Sequence, residues 1–339
     1  MNDYIKNAKR IILIDLLYLG DLIFATPFIR NLRKKYPKAQ IDMIVNSNFF
    51  DIMEENPYLD NIYAYNKKWS IKESWQFARR LRKNKYELGL NLHGNWRTAL
   101  LLKVVNPDYS VGYGAKGRGV WLDQELSFVE DKHMVETYLK FLEDLGFEDF
   151  DDQGIELAIS QEANENMISF LKDHDLDSQD KLIGLNTGGS WPTKQWTEEG
   201  FAELGDKLQN QLKAKVIFFG GPGDVERVNK IVSLMNTNPI IATGKTTLKE
   251  LAALAEKCDL FISGDTGPVH VAAAVGTPTI ALFGPSDENK YRPYGKKHQV
   301  IENGIECRPC GHHHCPLKHH NCLEKISADE ILDQIIDNR

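Results

Sequence analysis

Asp265, Thr266, Gly267 and His270 fall within one short stretch, ISGDTGPVHVAAAVG, between an apolar run and a helix nearly bare of polar residues. Such a helix is expected to be buried, yet its first turn still needs partners for backbone N–H groups that no earlier turn satisfies. Pro268 suits the first helical position, and Gly267 lets a ligand approach the backbone closely. Unpaired amides at the positive end of the helix dipole favour an anion, most naturally a phosphate. His270 lies one turn in, and helical side chains lean toward the N-terminus, so its imidazole reaches the same mouth. A buried neutral histidine bonded to a carbonyl is the competing reading. Asp265 repels phosphate, so it is expected to hold backbone N–H groups or a sugar hydroxyl.

A second group of donors stands in NTGGSWPTKQWTEE, residues 186–199. Thr187, Gly188, Gly189 and Ser190 offer hydroxyls and amides, and Lys194 adds a point charge suited to phosphate. Thr197 is a candidate N-cap for the helix that follows. In GGPGDVERV, Glu226 either binds ribose hydroxyls or favours the start of its own helix. Near the N-terminus, LYLGDLIFATPF sets Asp21 at a strand-to-helix turn, as a helix cap or as a general base.

Two familiar patterns do not hold. Gly112, Gly114 and Gly117 spell G-x-G-x-x-G, but RGVWLDQEL after them is no convincing helix to receive a pyrophosphate. TGKTT resembles a P-loop, except that Pro239 occupies the position of its first glycine. Cys307, Cys310, Cys315 and Cys322 form C-x2-C-x4-C-x6-C with five histidines interleaved, while Cys258 stands apart. Free or packing thiols are the expectation there, with a structural zinc as the alternative and no part in catalysis. No catalytic metal and no cofactor are expected.

The elements that would position these groups alternate strand and helix. Strands are expected at 10–16, 40–46, 61–65, 86–93, 181–187, 215–221, 239–243, 259–264 and 279–284. Helices are expected at 21–36, 48–55, 71–84, 133–145, 197–212, 224–236, 247–257 and 267–275. This is an α/β pattern of parallel sheets covered on both faces, in two Rossmann-like halves whose ligands gather at strand carboxyl ends. The expected boundaries are 1–165 for the first domain and 176–326 for the second.

At 339 residues, with 42% hydrophobic and 26% charged residues, the composition is that of a soluble two-domain protein. No run approaches the ~18 apolar residues of a membrane span. RIILIDLLYLG is interrupted by Asp15 and lacks a cleavage site, so a cytoplasmic location is expected. Residues 1–118 carry 20 Lys and Arg against 11 Asp and Glu, whereas the remainder carries 21 against 37. Arg30, Arg33, Lys34, Lys35 and Lys38 form one basic cluster, and Arg79, Arg80, Arg82, Lys83 and Lys85 a second. Nucleic acid is not an expected partner.

RIILIDLLYLGDLIFATPFIRNLRKKYP, NTGGSWPTKQW and SGDTGPVHVAAAVGTPTIALFGPSD together resemble the signature segments of the ADP-heptose:lipopolysaccharide heptosyltransferases, glycosyltransferase family nine. The tail CRPCGHHHCPLKHHNCLEKIS is similar to that of the heptosyltransferase II branch. The resemblance implies the GT-B architecture, two Rossmann-like domains facing across a cleft, and inverting, metal-independent transfer. The implied donor is a nucleoside-diphosphate sugar, ADP-heptose. The implied acceptor is an anionic, lipid-anchored glycan such as lipopolysaccharide core, reached by transient contact with the inner leaflet of the membrane. Asp21 would be the general base, and Thr187, Gly188, Ser190, Lys194, Asp265, Thr266 and Gly267 would hold the donor diphosphate, with His270 and Glu226 beside them. The last helix, 327–339, would pack back on the first domain. The alternatives are a nucleotide-sugar epimerase and a non-catalytic nucleotide-sugar-binding protein.

Overall fold

The computed structural model describes residues 3–114, 119–177, 179–189 and 191–337, so Gly117 and Ser190 lie outside the described residues. The chain divides into two compact units, residues 1–158 and 159–339. The first unit holds β1 (Arg10–Asp15), β2 (Gln40–Asn46), β3 (Asn61–Tyr65), β4 (Leu88–Asn91), β5 (Tyr109–Tyr113) and β6 (Gln124–Leu126). The second holds β7 (Leu182–Asn186), β8 (Lys215–Phe219), β9 (Ile240–Ile241), β10 (Leu260–Gly264), β11 (Thr279–Leu282) and β12 (His298–Ile301). All pairings are parallel. The strand orders are β3-β2-β1-β4-β5-β6 and β9-β8-β7-β10-β11-β12, the same doubly wound order twice. Each sheet therefore has one point where the winding reverses, between β1 and β4 and between β7 and β10, and ligands of such sheets sit at the strand ends there.

The burial of the strands explains why their sequences run apolar. In β1 every residue after Arg10 is buried, as a central strand covered on both faces requires. Expected elements recur, with differences that have local causes. The helix expected over 21–36 is two, Leu19–Phe24 and Thr26–Lys35, with Pro27 in the first turn of the second, where its missing N–H costs nothing. Helix Ile71–Leu81 starts at a capping box of Ser70 and Glu73. Helix Trp96–Val105 is not among the expected elements, because TALLLKVV is apolar around most of its circumference and shows no stripe.

Two expectations are corrected. The last helix, Ala328–Asp337, belongs to the second unit and not to the first. Ile331, Leu332 and Ile335 join the core formed by Leu204, Leu208 and Phe218, and Trp196 Nε1 donates to Ile326 O at 3.0 Å to fix its start. Three of the five residues in the first basic cluster are committed to acidic partners, while Lys35 and Lys38 are exposed. Arg30 is buried and pairs with Asp151 and Glu156, Arg33 pairs with Asp60, and Lys34 with Asp151. Among the described residues no helix is long and apolar enough to cross a membrane.

Candidate active site

In the second unit the loops after β7 and β10, neighbours at the reversal point, bring the expected phosphate-binding residues together. Lys194 Nζ lies 2.6 Å from Asp265 Oδ2, and His270 Nε2 stands 3.6 Å from Asp265 Oδ1. Burial alone would raise the Asp265 carboxyl, but His270 and the Lys194 ammonium outweigh it and hold it at about 2. The carboxylate thus faces Lys194 and His270. Lys194 also lies over the Trp191 ring, 4.6 Å from its centroid.

The helix Gly267–Ala274 begins with Pro268 in its first turn, and no side chain caps it. Thr266 Oγ1 is engaged sideways instead, accepting from Asn186 Nδ2 at 3.3 Å and lying 3.2 Å from Ser263 Oγ. Thr187, at the end of β7, is buried, and its hydroxyl has no hydrogen-bond partner among the described residues. A buried orphan hydroxyl is costly, and a bound ligand is one explanation. A Cβ on Gly188 would meet Asp224 Oδ2 at 2.6 Å, so a larger residue there would push the Asp224 carboxylate aside. Thr197 caps its helix by accepting from Gly200 N at 3.0 Å. Glu226 is exposed in the first turn of helix Val225–Leu234.

The position of Lys194 depends on residues that motif reading missed. A Cβ on Gly264 would lie 2.6 Å from Lys194 O, and one on Gly284 3.1 Å from Thr193 O. These glycines, the last residue of β10 and the second residue after β11, let residues 192–194 lie across the strand ends. Their signal in the sequence is a glycine closing an apolar strand, twice in one sheet.

In the first unit Asp21 is the third residue of helix Leu19–Phe24, and its Oδ2 accepts from Tyr18 N at 3.1 Å. Around it, the loops after β1, β3 and β4 supply further groups that the sequence reading left out. Asp15 closes β1, fully buried, accepting from Leu17 N at 2.9 Å and from Tyr138 Oη at 3.4 Å. Burial and the Asp21 charge push its carboxyl up to about 7. Lys67 lies within electrostatic reach of both carboxylates, its own ammonium destabilised by burial. His93 accepts from Leu16 N through Nδ1 at 3.3 Å, and burial followed by Lys67 pushes its imidazole down to about 4. A carboxylate pair beside one lysine and a neutral histidine can take up a proton near neutrality. The signal for Asp15 was present: a charged residue inside a wholly apolar strand.

Residues 74–321 match the model of glycosyltransferase family 9 (heptosyltransferase). The chain is 31% identical to lipopolysaccharide heptosyltransferase 3 of Escherichia coli K12, with 93% of this chain and 94% of that protein covered. It superposes on a family 9 glycosyltransferase from Veillonella parvula with a TM-score of 0.90 at 32% identity, covering 99% and 98% of the two chains. It shares its fold with the E. coli ADP-heptose lps heptosyltransferase II, TM-score 0.79 at 23% identity, with 97% and 98% covered.

Proposed function

The chain belongs to glycosyltransferase family 9, its α/β fold is of the GT-B class, and on that footing we propose that it transfers heptose from ADP-heptose to a lipopolysaccharide-core acceptor. An epimerase is not favoured, because the family and the relatives above are heptosyltransferases. The observation that carries the donor half is the Lys194–Asp265 pair beside an uncapped helix N-terminus and the unpartnered Thr187 hydroxyl.

Asp265 orients Lys194 and His270, and Lys194 with the amides of Thr266 and Gly267 holds the diphosphate. Thr187 and the backbone of Gly188 supply further donors, and Glu226 takes the ribose hydroxyls. As the anomeric C–O bond breaks, negative charge builds on the departing phosphate oxygen, and fixed donors there stabilise it. In the first unit Asp21 accepts the proton of the acceptor hydroxyl, whose oxygen bonds to the anomeric carbon from the face opposite the leaving ADP. One displacement inverts the anomeric configuration. General-base help of this kind contributes ~10²–10⁴-fold. With Lys194 and the helix N-terminus serving the leaving group, transfer proceeds without a divalent cation.

The acceptor is lipid-anchored, and we assign membrane contact to the helix Ile71–Leu81. Ile71 is 87% and Trp75 47% exposed, beside Lys72, Arg79, Arg80, Arg82 and Lys83, with Arg79 over the Trp75 ring at 4.6 Å. Apolar residues enter the headgroup boundary while basic neighbours, worth ~1 kcal/mol each, meet anionic lipid.

Incubating the protein with ADP-heptose and core acceptors, without and then with added Mg²⁺ or Mn²⁺, tests the reading. The expected product is heptosylated with an anomeric configuration opposite to the donor's by NMR, at a rate the cations leave unchanged. Retention of configuration, or transfer that requires the cation, contradicts it.

A further inference from the structure

Residues 302–320, after β12, contain almost no regular structure, yet they grip the turn that carries Lys194. Thr193 Oγ1 donates to His312 O at 2.7 Å, and His320 Nε2 lies 2.8 Å from Thr193 O. Cys310 N and Gly311 N both donate to Pro285 O, and Arg308 Nε donates to Gly284 O at 2.7 Å. His313 stacks on Trp191 with ring centroids 3.7 Å apart. A segment of this length without helix or strand has little apolar burial to offset the entropy of ordering it.

The thiols supply what the core does not. Cys307, Cys310, Cys315 and Cys322 line a single pocket of about 30 Å³, on the scale of one small ion with its ligands' inner faces. The backbone N–H groups of residues 317–320, His320 foremost, hold the Cys315 thiol below its ordinary range. Cys322 lies within electrostatic reach of the other three. Of the two histidines lining the pocket, His320 holds Thr193 O through Nε2 and His319 accepts from Asn321 N through Nδ1 at 3.1 Å. Four thiols, enough for one tetrahedral ion, line the same pocket. Spacings of two and four residues within Cys307–Cys310–Cys315 fall in the range of structural zinc sites.

We propose that Cys307, Cys310, Cys315 and Cys322 bind one thiophilic transition-metal ion, zinc by preference, in a tetrahedral four-thiolate site that pins residues 302–320 onto the Thr193–Lys194 turn. All four are free thiols, and among the described residues no three His, Cys, Asp or Glu side chains already stand as a metal-ligand group. Binding rotates the thiols onto the ion and releases their protons to solvent. The ion is structural and takes no part in the transfer of sugar.

Elemental analysis of the full-length protein, purified under reducing conditions from zinc-supplemented culture, tests this. The expected content is about one zinc per chain, since a four-thiolate site is filled by one ion. Cys315→Ser and Cys322→Ser should each lose most of it, whereas Cys258→Ser, a buried thiol outside the pocket, should keep it. Reconstitution with Co²⁺ should give thiolate-to-cobalt charge-transfer absorption in the wild type. Should the serine variants be insoluble, a mercurial titration of the wild-type thiols should release the metal to an indicator dye. One iron per chain supports the four-thiolate site and corrects only the identity of the ion. Protein without stoichiometric metal that gives no charge-transfer band with Co²⁺, or a native mass showing disulfides among these cysteines, overturns the proposal.

Discussion

Lys194 Nζ sits 2.6 Å from Asp265 Oδ2 although 71 residues separate them, because β7 and β10 are neighbours in the sheet. The pair presents a positive charge at an uncapped helix N-terminus while keeping the lysine from wandering. Lys194→Ala should weaken ADP binding by roughly 1.5–3 kcal/mol, the scale of a charged hydrogen bond, and adenosine binding far less. Calorimetry with both ligands checks it, and equal losses would remove the phosphate contact from the account.

The same pair makes a prediction about pH. The Asp265 carboxyl is held at about 2, below its ordinary value near 4, so it contributes stability above pH ~4 that is lost as pH falls through 2. Lys194→Ala removes part of that depression. The variant should melt below wild type at pH 7, and the gap should narrow as pH falls toward 3. A gap independent of pH would mean that lost packing, not charge, separates the two proteins.

Gly264 tests how the lysine is carried. A Cβ there would stand 2.6 Å from Lys194 O, a backbone atom that moves only if the turn moves. Gly264→Ala should therefore lower ADP affinity about as much as Lys194→Ala while Asp21 and the first unit are untouched. Wild-type ADP affinity in this variant would show that the turn tolerates displacement.

Asp15 gives a prediction of opposite sign. Its carboxyl is raised to about 7, so the stability linked to it is present below pH ~4 and declines as pH rises toward and through 7. Asp15→Asn, which carries no charge to bury, should gain melting temperature over wild type progressively from pH 5 to pH 8. Because the Asp21 charge contributes to the shift, Asp21→Asn should itself flatten the wild-type pH dependence. Thermal melts across this range decide it, and parallel curves would refute the buried-charge reading.

Much of the fold was legible because its strands are short, apolar and separated by striped helices. What escaped notice lacked contrast. Helix Trp96–Val105 is apolar on most sides. β12, HQVI, is half buried and mixed in character. The residues proposed to hold phosphate stand in recognisable turns, but the pairing of Asp265 did not follow from them, since its partners come through strand order and through a helix turn. Asp15 and Lys67 were illegible as a pair because the loops after β1 and β3 meet only in three dimensions. The basic cluster from Arg30 onward misled for the converse reason. Its acidic partners Asp60, Asp151 and Glu156 are remote in sequence, so charge counting saw only one half of each ion pair.

That correction narrows the membrane prediction to one helix. Sedimentation with anionic vesicles should fall steeply as salt rises, and Trp75→Ala or charge reversal at Arg79 and Arg82 should reduce it. Reversal at Lys38, outside this helix, should matter little. Salt-insensitive sedimentation, or none at low salt, would leave Ile71 and Trp75 as ordinary surface residues.

The central claim is that Asp21 takes the acceptor's proton while the second unit holds the donor, and Asp21→Asn tests it most directly. Turnover of ADP-heptose with a core acceptor should fall ~10²–10⁴-fold, with ADP affinity within about threefold of wild type. Asparagine keeps an oxygen to accept from Tyr18 N, so the helix start should survive and circular dichroism should be unchanged. Near wild-type turnover in the folded variant would contradict the account and leave Asp21 as the cap of helix Leu19–Phe24.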